Sequence, residues 1–242
     1  MKKLILILFV HIILTGCKSY LYNKAYKSIG AFDEEVQLIN LERADKKVAF
    51  LPMVHVSTKL YYQDVKNKID SLEKDGYYFY YELVNNNNKD DSLQRKMRKM
   101  LNLPFGSKRD YLNVIDSLMK VKNIQLAKKL VNQPKYKELG LNEINSKNVD
   151  SSFEDMVAHY EGLYGCIVLT PCDFENNYDE KSKCENKDFD KKKSESIVLD
   201  FRNGVVVNEI LNDSKHNKIA IIYGRAHIKG IKEALLENGY IE

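Results

Sequence analysis

The chain has no tryptophan and only four cysteines. No two cysteines have the C-x-x-C spacing of a zinc knuckle, and no histidine stands near them at finger spacing, which argues against a structural zinc site. No run of one charge is long enough to track a phosphate backbone. Lysines and acids are mixed along the chain, and the formal net charge is only +4. That argues against a nucleic-acid partner and for a solvated surface. No repeat of short period is visible. The one long apolar run, Leu4 to Leu14, is interrupted by His11 and is too short to span a bilayer comfortably.

What is present begins with that run. "MKKLILILFVHIILTGC" opens on Lys2 and Lys3, continues apolar, and ends Leu14-Thr15-Gly16-Cys17. This is the order of a secretory signal, and its end resembles a bacterial lipobox. The resemblance implies that residues 1–16 are a lipoprotein signal peptide. Cleavage would precede Cys17, which would carry acyl chains such as palmitate. The mature protein would then be tethered to a membrane in the bacterial envelope, facing periplasm or exterior. Lys18 offers no inner-membrane retention signal, so the outer membrane is favoured. An exported chain meets conditions that allow disulfides. Of the three remaining cysteines, Cys172 and Cys184 flank a polar loop and form the expected pair. Cys166, inside "YGCIVL", is expected buried and reduced.

The 242 residues suffice for one domain with a real core. Residues 17–44 show little periodicity and read as a tether and lead-in, with the domain over 45–242. "KKVAFLPMVH" has the apolar run of a buried strand. "TKLYYQDVKNKIDSLEKDG" has helical spacing, with Gly76 as its cap, and "YYFYYELV" is β-prone. Together they predict a βαβ unit with parallel neighbouring strands. Helices are predicted near Ser92–Leu101, Arg109–Val121 and Ile124–Val131. A capping pair, Ser151 and Glu154, starts another. "CIVLTPC" reads as a strand, and "SIVLDFRNGVVVNEIL" as strand passing into helix around Arg202. The last unit is strand Ile219–Tyr223, then His227, then a helix.

His55, Glu82 and His227 each follow an apolar strand. In open α/β sheets ligands bind beyond the carboxyl ends of strands, so parallel packing points all three to one edge. Glu82 follows five aromatic residues and needs a partner if buried; Arg202 could supply it. Taken singly, each histidine is more often a hydrogen-bonded loop residue, so spacing alone leaves the cluster open.

"GRAHIKGIKEALLENGY", "VHVSTKLYYQDV…YYFYYELV" and "RNGVVVNEIL", in this chain, resemble segments of the TraB/PrgY–TIKI (GumN-like) superfamily. The resemblance covers residues 47–84 and 197–241. It implies an α/β, bilobed TraB/TIKI/ChaN/erythromycin-esterase-like fold, with a mostly parallel central sheet and a helical middle region. It implies one site, with His55, Glu82 and His227 as metal ligands and Glu82 and Arg202 in catalysis. The function implied is a metal-dependent, peptidase-like hydrolase using Mn²⁺, Co²⁺ or Zn²⁺. The alternative is a binding lipoprotein that sequesters a peptide signal, haem or another small ligand without turnover. One departure is Pro52, where the family has glycine three residues before the histidine. Proline fixes φ and lacks an N–H, so the first motif is altered.

Overall fold

The computed structural model describes residues 18–44, 46–86, 90–104, 111–187 and 189–242. The expected signal peptide, residues 1–16, and Cys17 lie outside them. The chain forms two compact units. Of the described residues, one comprises those within 18–37, Val54–Ser71 and 111–141; the other comprises those within Leu38–Met53, 72–104 and Asn142–Glu242.

The first unit holds helix α1 (18–28), the two-residue strands β3 (Val56–Ser57) and β5 (Val131–Asn132), most of α2 (Lys59–Lys74) and α4 (Tyr111–Lys122). β3 and β5 pair antiparallel. Ala31, Phe32, Val56 and Leu130 form its small core, with Tyr26 and Ile115 packed on it. Residues 18–28, within the stretch 17–44 read as a tether and lead-in, form a helix. The expected helix at Ile124–Val131 is absent. Asn23 on α1 donates to the Gln125 carbonyl and accepts from the Ala127 N–H, which captures backbone groups that a helix would need for itself.

The second unit is built on a five-stranded sheet, β1 (Ile39–Arg43), β2 (Lys46–Met53), β4 (Tyr78–Tyr81), β6 (Ser146–Asn148) and β7 (Lys218–Gly224), in the order β1-β2-β7-β4-β6. Only β1 runs antiparallel. β2 and β7 are continuous apolar runs because both faces are covered, as parallel sheets require. The βαβ pair β2 and β4 is parallel as read, but the two strands are not neighbours, since β7 lies between them. Phe50, Ile219, Ile221 and Tyr223 join Val206, Val207 and Ile210 of α7 (Arg202–Asn212) and Ile228, Ile231 and Leu235 of α8 (Arg225–Glu237) in one core. Each such side chain contributes about 1.5–3 kcal/mol. Pro52 lies beyond Phe50, where β1 pairing ends, so no ladder bond on that side requires its missing N–H.

A second cluster joins Leu93, Met97 and Met100 of α3 (Asp91–Leu101) to Phe153, Met156 and Val157 of α5 (Phe153–Tyr164) and to Ile197. The cap of α5 is Ser152 with Asp155, one residue later than read. "CIVLTPC" is not a strand; its end is a 3₁₀ turn, Pro171–Phe174. "SIVLDF" is not a strand either. Asp190 caps α6 (Lys191–Glu195), accepting from the Lys192 and Lys193 N–H groups. The helix then runs on through a π stretch, Ser196–Phe201, into α7. The cap and the burial of Ile197 override the β-branched composition.

Cys172 and Cys184 form a disulfide with Cα atoms 5.9 Å apart, whereas Cys166 is free and exposed rather than buried. With a sequence separation of 12 between the bridged positions, reduction should cost about 3 kcal/mol in the chain-entropy model. Urea denaturation with and without a reductant, on a Cys166→Ser background, measures that loss directly. A midpoint unmoved by the reductant contradicts it.

Candidate functional site

The carboxyl ends of β4, β6 and β7 lie side by side, because Tyr81 pairs with both Ile222 and Asn148. Glu82 leaves β4, Asp150 follows β6 by two residues, and His227 sits in the first turn of α8, directly after β7. Arg202, the first residue of α7, reaches all three.

The guanidinium has five N–H donors, and each has an acceptor within the chain. Nε donates to Asp150 Oδ1 at 2.8 Å, and Nη2 to Asp150 Oδ2 at 2.7 Å. Nη2 also donates to Glu82 Oε1 at 2.6 Å. Nη1 donates to the Val198 carbonyl at 3.2 Å and meets His227 Nε2 at 3.2 Å. Val198 belongs to the π stretch that precedes Arg202; such stretches recur at functional sites. Arg202 is only 5% exposed, and the Asp150 side chain is fully buried.

Glu82 completes the network. Its Oε2 accepts the Gly224 N–H at 2.5 Å, at the N-terminus of α8, where a carboxylate is favoured. Burial pushes the Glu82 carboxyl upward, but Arg202, the neighbouring His227 and the Gly224 N–H outweigh it and hold it below the usual carboxylate range. Burial likewise opposes the Arg202 charge, and Asp150 and Glu82 overcome it, raising its pKa. Two carboxylates face one guanidinium. The excess negative charge is spread over the Gly224 and Ser151 N–H groups, the latter bonding Asp150 Oδ1 at 2.8 Å.

The His227 tautomer follows from its partners. A guanidinium only donates, so Nε2 accepts and the ring proton lies on Nδ1, which meets Asn203 Oδ1 at 2.8 Å. Gly224 is glycine for a reason other than a sharp turn. Its φ is −53°, open to any residue, but a Cβ there would lie 3.0 Å from Glu82 Oε2.

Of the residues read from the sequence, Glu82, Arg202 and His227 are thus brought together. His55 belongs to the first unit, where its carbonyl accepts from Gln133 N–H and its ring stacks on Tyr111 at 4.6 Å. Sequence reasoning missed Asp150 and Asn203. The only signal for Asp150 was an acid beside a helix cap, which reads as capping. Among the described residues no group of three His, Cys, Asp or Glu side chains is placed to hold a metal. Glu82 Oε1 and His227 Nε2 are 3.5 Å apart, close enough for one ion to touch both. The lone pairs it would need are taken by Arg202, which Asp150 locks in place. As arranged, these residues do not fit a metal.

No protein-family model matches the chain, and no curated protein or solved structure is detectably similar to it.

Proposed function

We propose that this chain is a lipid-anchored envelope protein of the TraB/PrgY–TIKI (GumN-like) type that binds its ligand, a peptide or small molecule, without metal-dependent turnover. The mostly parallel sheet, with Glu82, Arg202 and His227 at its carboxyl edge in the superfamily's order, supports the kinship. So does the division into two compact units. The observation that carries the binding reading is the closure of Arg202. All five of its donors, including those on Glu82 and His227, are engaged by the chain itself. None remains to polarise a substrate carbonyl or to hold an oxyanion. The same unit has a cavity of about 280 Å³ with Tyr160, Tyr164, Ile167 and Phe189 in its wall, sized for an apolar side chain of a peptide.

The 3.5 Å approach of His227 Nε2 to Glu82 Oε1 favours a second reading, the metal-dependent hydrolase. There Arg202 would withdraw and a divalent ion would lower the pKa of a bound water. Metal content decides. Protein equilibrated with Mn²⁺, Co²⁺ or Zn²⁺ and then desalted should retain far less than one ion per chain, and His227→Ala should not change that. It should also cleave no peptide in a mixed library. One ion per chain, lost in His227→Ala and accompanied by cleavage, would establish the hydrolase instead.

A further inference from the structure

α3 carries two arginines one turn apart, Arg95 and Arg98, both buried. Buried arginines usually face carboxylates. Arg95 has one, Asp91 at 2.6 Å. Arg98 has none within bonding distance. Its fork meets the Asp173 carbonyl at 2.7 Å, the Asn177 carbonyl at 2.9 Å and Asn176 Oδ1 at 3.4 Å. Three of its five N–H groups are accounted for in this way. Nε–H and one Nη2–H have no acceptor among the described residues. Nε and Nη2 form one edge of the guanidinium, the edge that grips a carboxylate or phosphate with two parallel bonds.

Arg98 lines a cavity of about 150 Å³ whose wall also includes Lys99, Lys181, Ser182 and the bridged Cys184. The Lys99 ammonium is already committed to Asp173 Oδ2 at 3.1 Å and to the Val168 carbonyl at 2.8 Å. Lys181 Nζ makes no hydrogen bond or ion pair among the described residues. Two acids share the wall, Asp173 and Glu185. Asp173 is occupied by Lys99 and Thr170, and Glu185 pairs with Lys187 at the exposed rim. Burial and the charge of Arg95 lower the Arg98 pKa and outweigh the carboxylates of Asp173, Asp91 and Glu180, which raise it.

We propose that this cavity is an oxyanion site for a phosphate group, gripped by the free edge of Arg98 and by Lys181. It lies apart in sequence from the Arg202 network and does not rest on the function proposed above. Free phosphate and a phosphate on a lipid headgroup present the same oxygens.

The test uses the full mature chain at constant ionic strength. Inorganic phosphate should raise the thermal midpoint saturably, where equal chloride does not. Lys181→Met, whose side chain supports nothing else in the fold, should unfold at the wild-type midpoint without phosphate. It should need about tenfold more phosphate for half the shift, the scale of one charged hydrogen bond. Arg98→Lys should abolish the response. Co-sedimentation with phosphatidylcholine vesicles, with and without phosphatidate, separates the sources. Capture by phosphatidate vesicles that depends on Lys181 assigns the site to a headgroup, and its absence alongside a phosphate shift assigns it to free phosphate. No response to either source, or one that Lys181→Met leaves unchanged, overturns the proposal.

Discussion

Arg202→Met will lower the folding stability at neutral pH by about 3–5 kcal/mol, the cost of removing one partner from a buried ion cluster. The substitution strands two carboxylates, the fully buried Asp150 and the 15%-exposed Glu82. It also leaves the Val198 carbonyl and His227 Nε2 without their donor. The pH dependence separates this cause from simple loss of packing. In the native chain Glu82 titrates below its unfolded value. Its contribution is therefore complete above the unfolded carboxylate pKa, about 4.3, and is lost as pH falls through the lower folded value. In Arg202→Met the largest lowering influence is gone, burial should outweigh the His227 and Gly224 N–H that remain, and the carboxyl should titrate above its unfolded value. The variant should then gain stability as pH falls from 7 toward 5, while the native chain does not. Urea denaturation of both proteins at pH 7, 6 and 5 checks this. A gap under 1 kcal/mol at pH 7, or one of constant size at all three, would falsify the network as described. Arg202→Lys keeps the charge but offers three donors from a single atom in place of a planar fork of five. It should recover less than half of the loss.

Glu82, Arg202 and His227 were legible because each breaks an apolar pattern where a strand or helix meets a loop. A polar group in such a place needs a partner, and the partners are one another. Asp150 was not legible, because its strand is only three residues, Ser-Lys-Asn, too short and too polar to register as alternation. Strand direction could be read and strand order could not. β7 lies between β2 and β4 although it is made last, and nothing local to "KIAIIYG" states its neighbours. The π stretch was hidden by Ile197 and Val198, which favour strands in isolation, while the deciding signal was the Asp190 cap seven residues upstream of Ile197. His55 is a different case. Its loop was read correctly as following β2, but a loop's direction is set by what it packs on, and the first unit, with Tyr111, was not foreseen as separate. Gly224 serves as a clearance for Glu82, since its φ of −53° is open to any residue while a Cβ would lie 3.0 Å from Glu82 Oε2.

A second glycine does the same for Asn203, and it gives the sharper test. Gly230 stands three residues after His227 on α8, and a Cβ built there would lie 2.4 Å from Asn203 Nδ2. No real contact is that close, and no other residue's atom is among the three nearest; the rest are Asn203 Cγ and Cβ, at 3.4 and 4.0 Å. Gly230→Ala must therefore displace the amide that receives the Nδ1 proton of His227. Overpacking of this kind costs about 1–3 kcal/mol. The sign should reverse when the amide is removed. In an Asn203→Ala background the new methyl meets only a Cβ at an ordinary distance. Alanine then shows its usual advantage over glycine inside a helix, about 0.5–1 kcal/mol. Four proteins in a double-mutant cycle measure both steps. The ¹⁵N shifts of the His227 ring report the positioning role directly. The Nδ1–H form should dominate in the native chain and give way to tautomer exchange in Gly230→Ala. If Gly230→Ala costs the same in both backgrounds, or leaves the ring spectrum unchanged, Asn203 is not what the glycine makes room for.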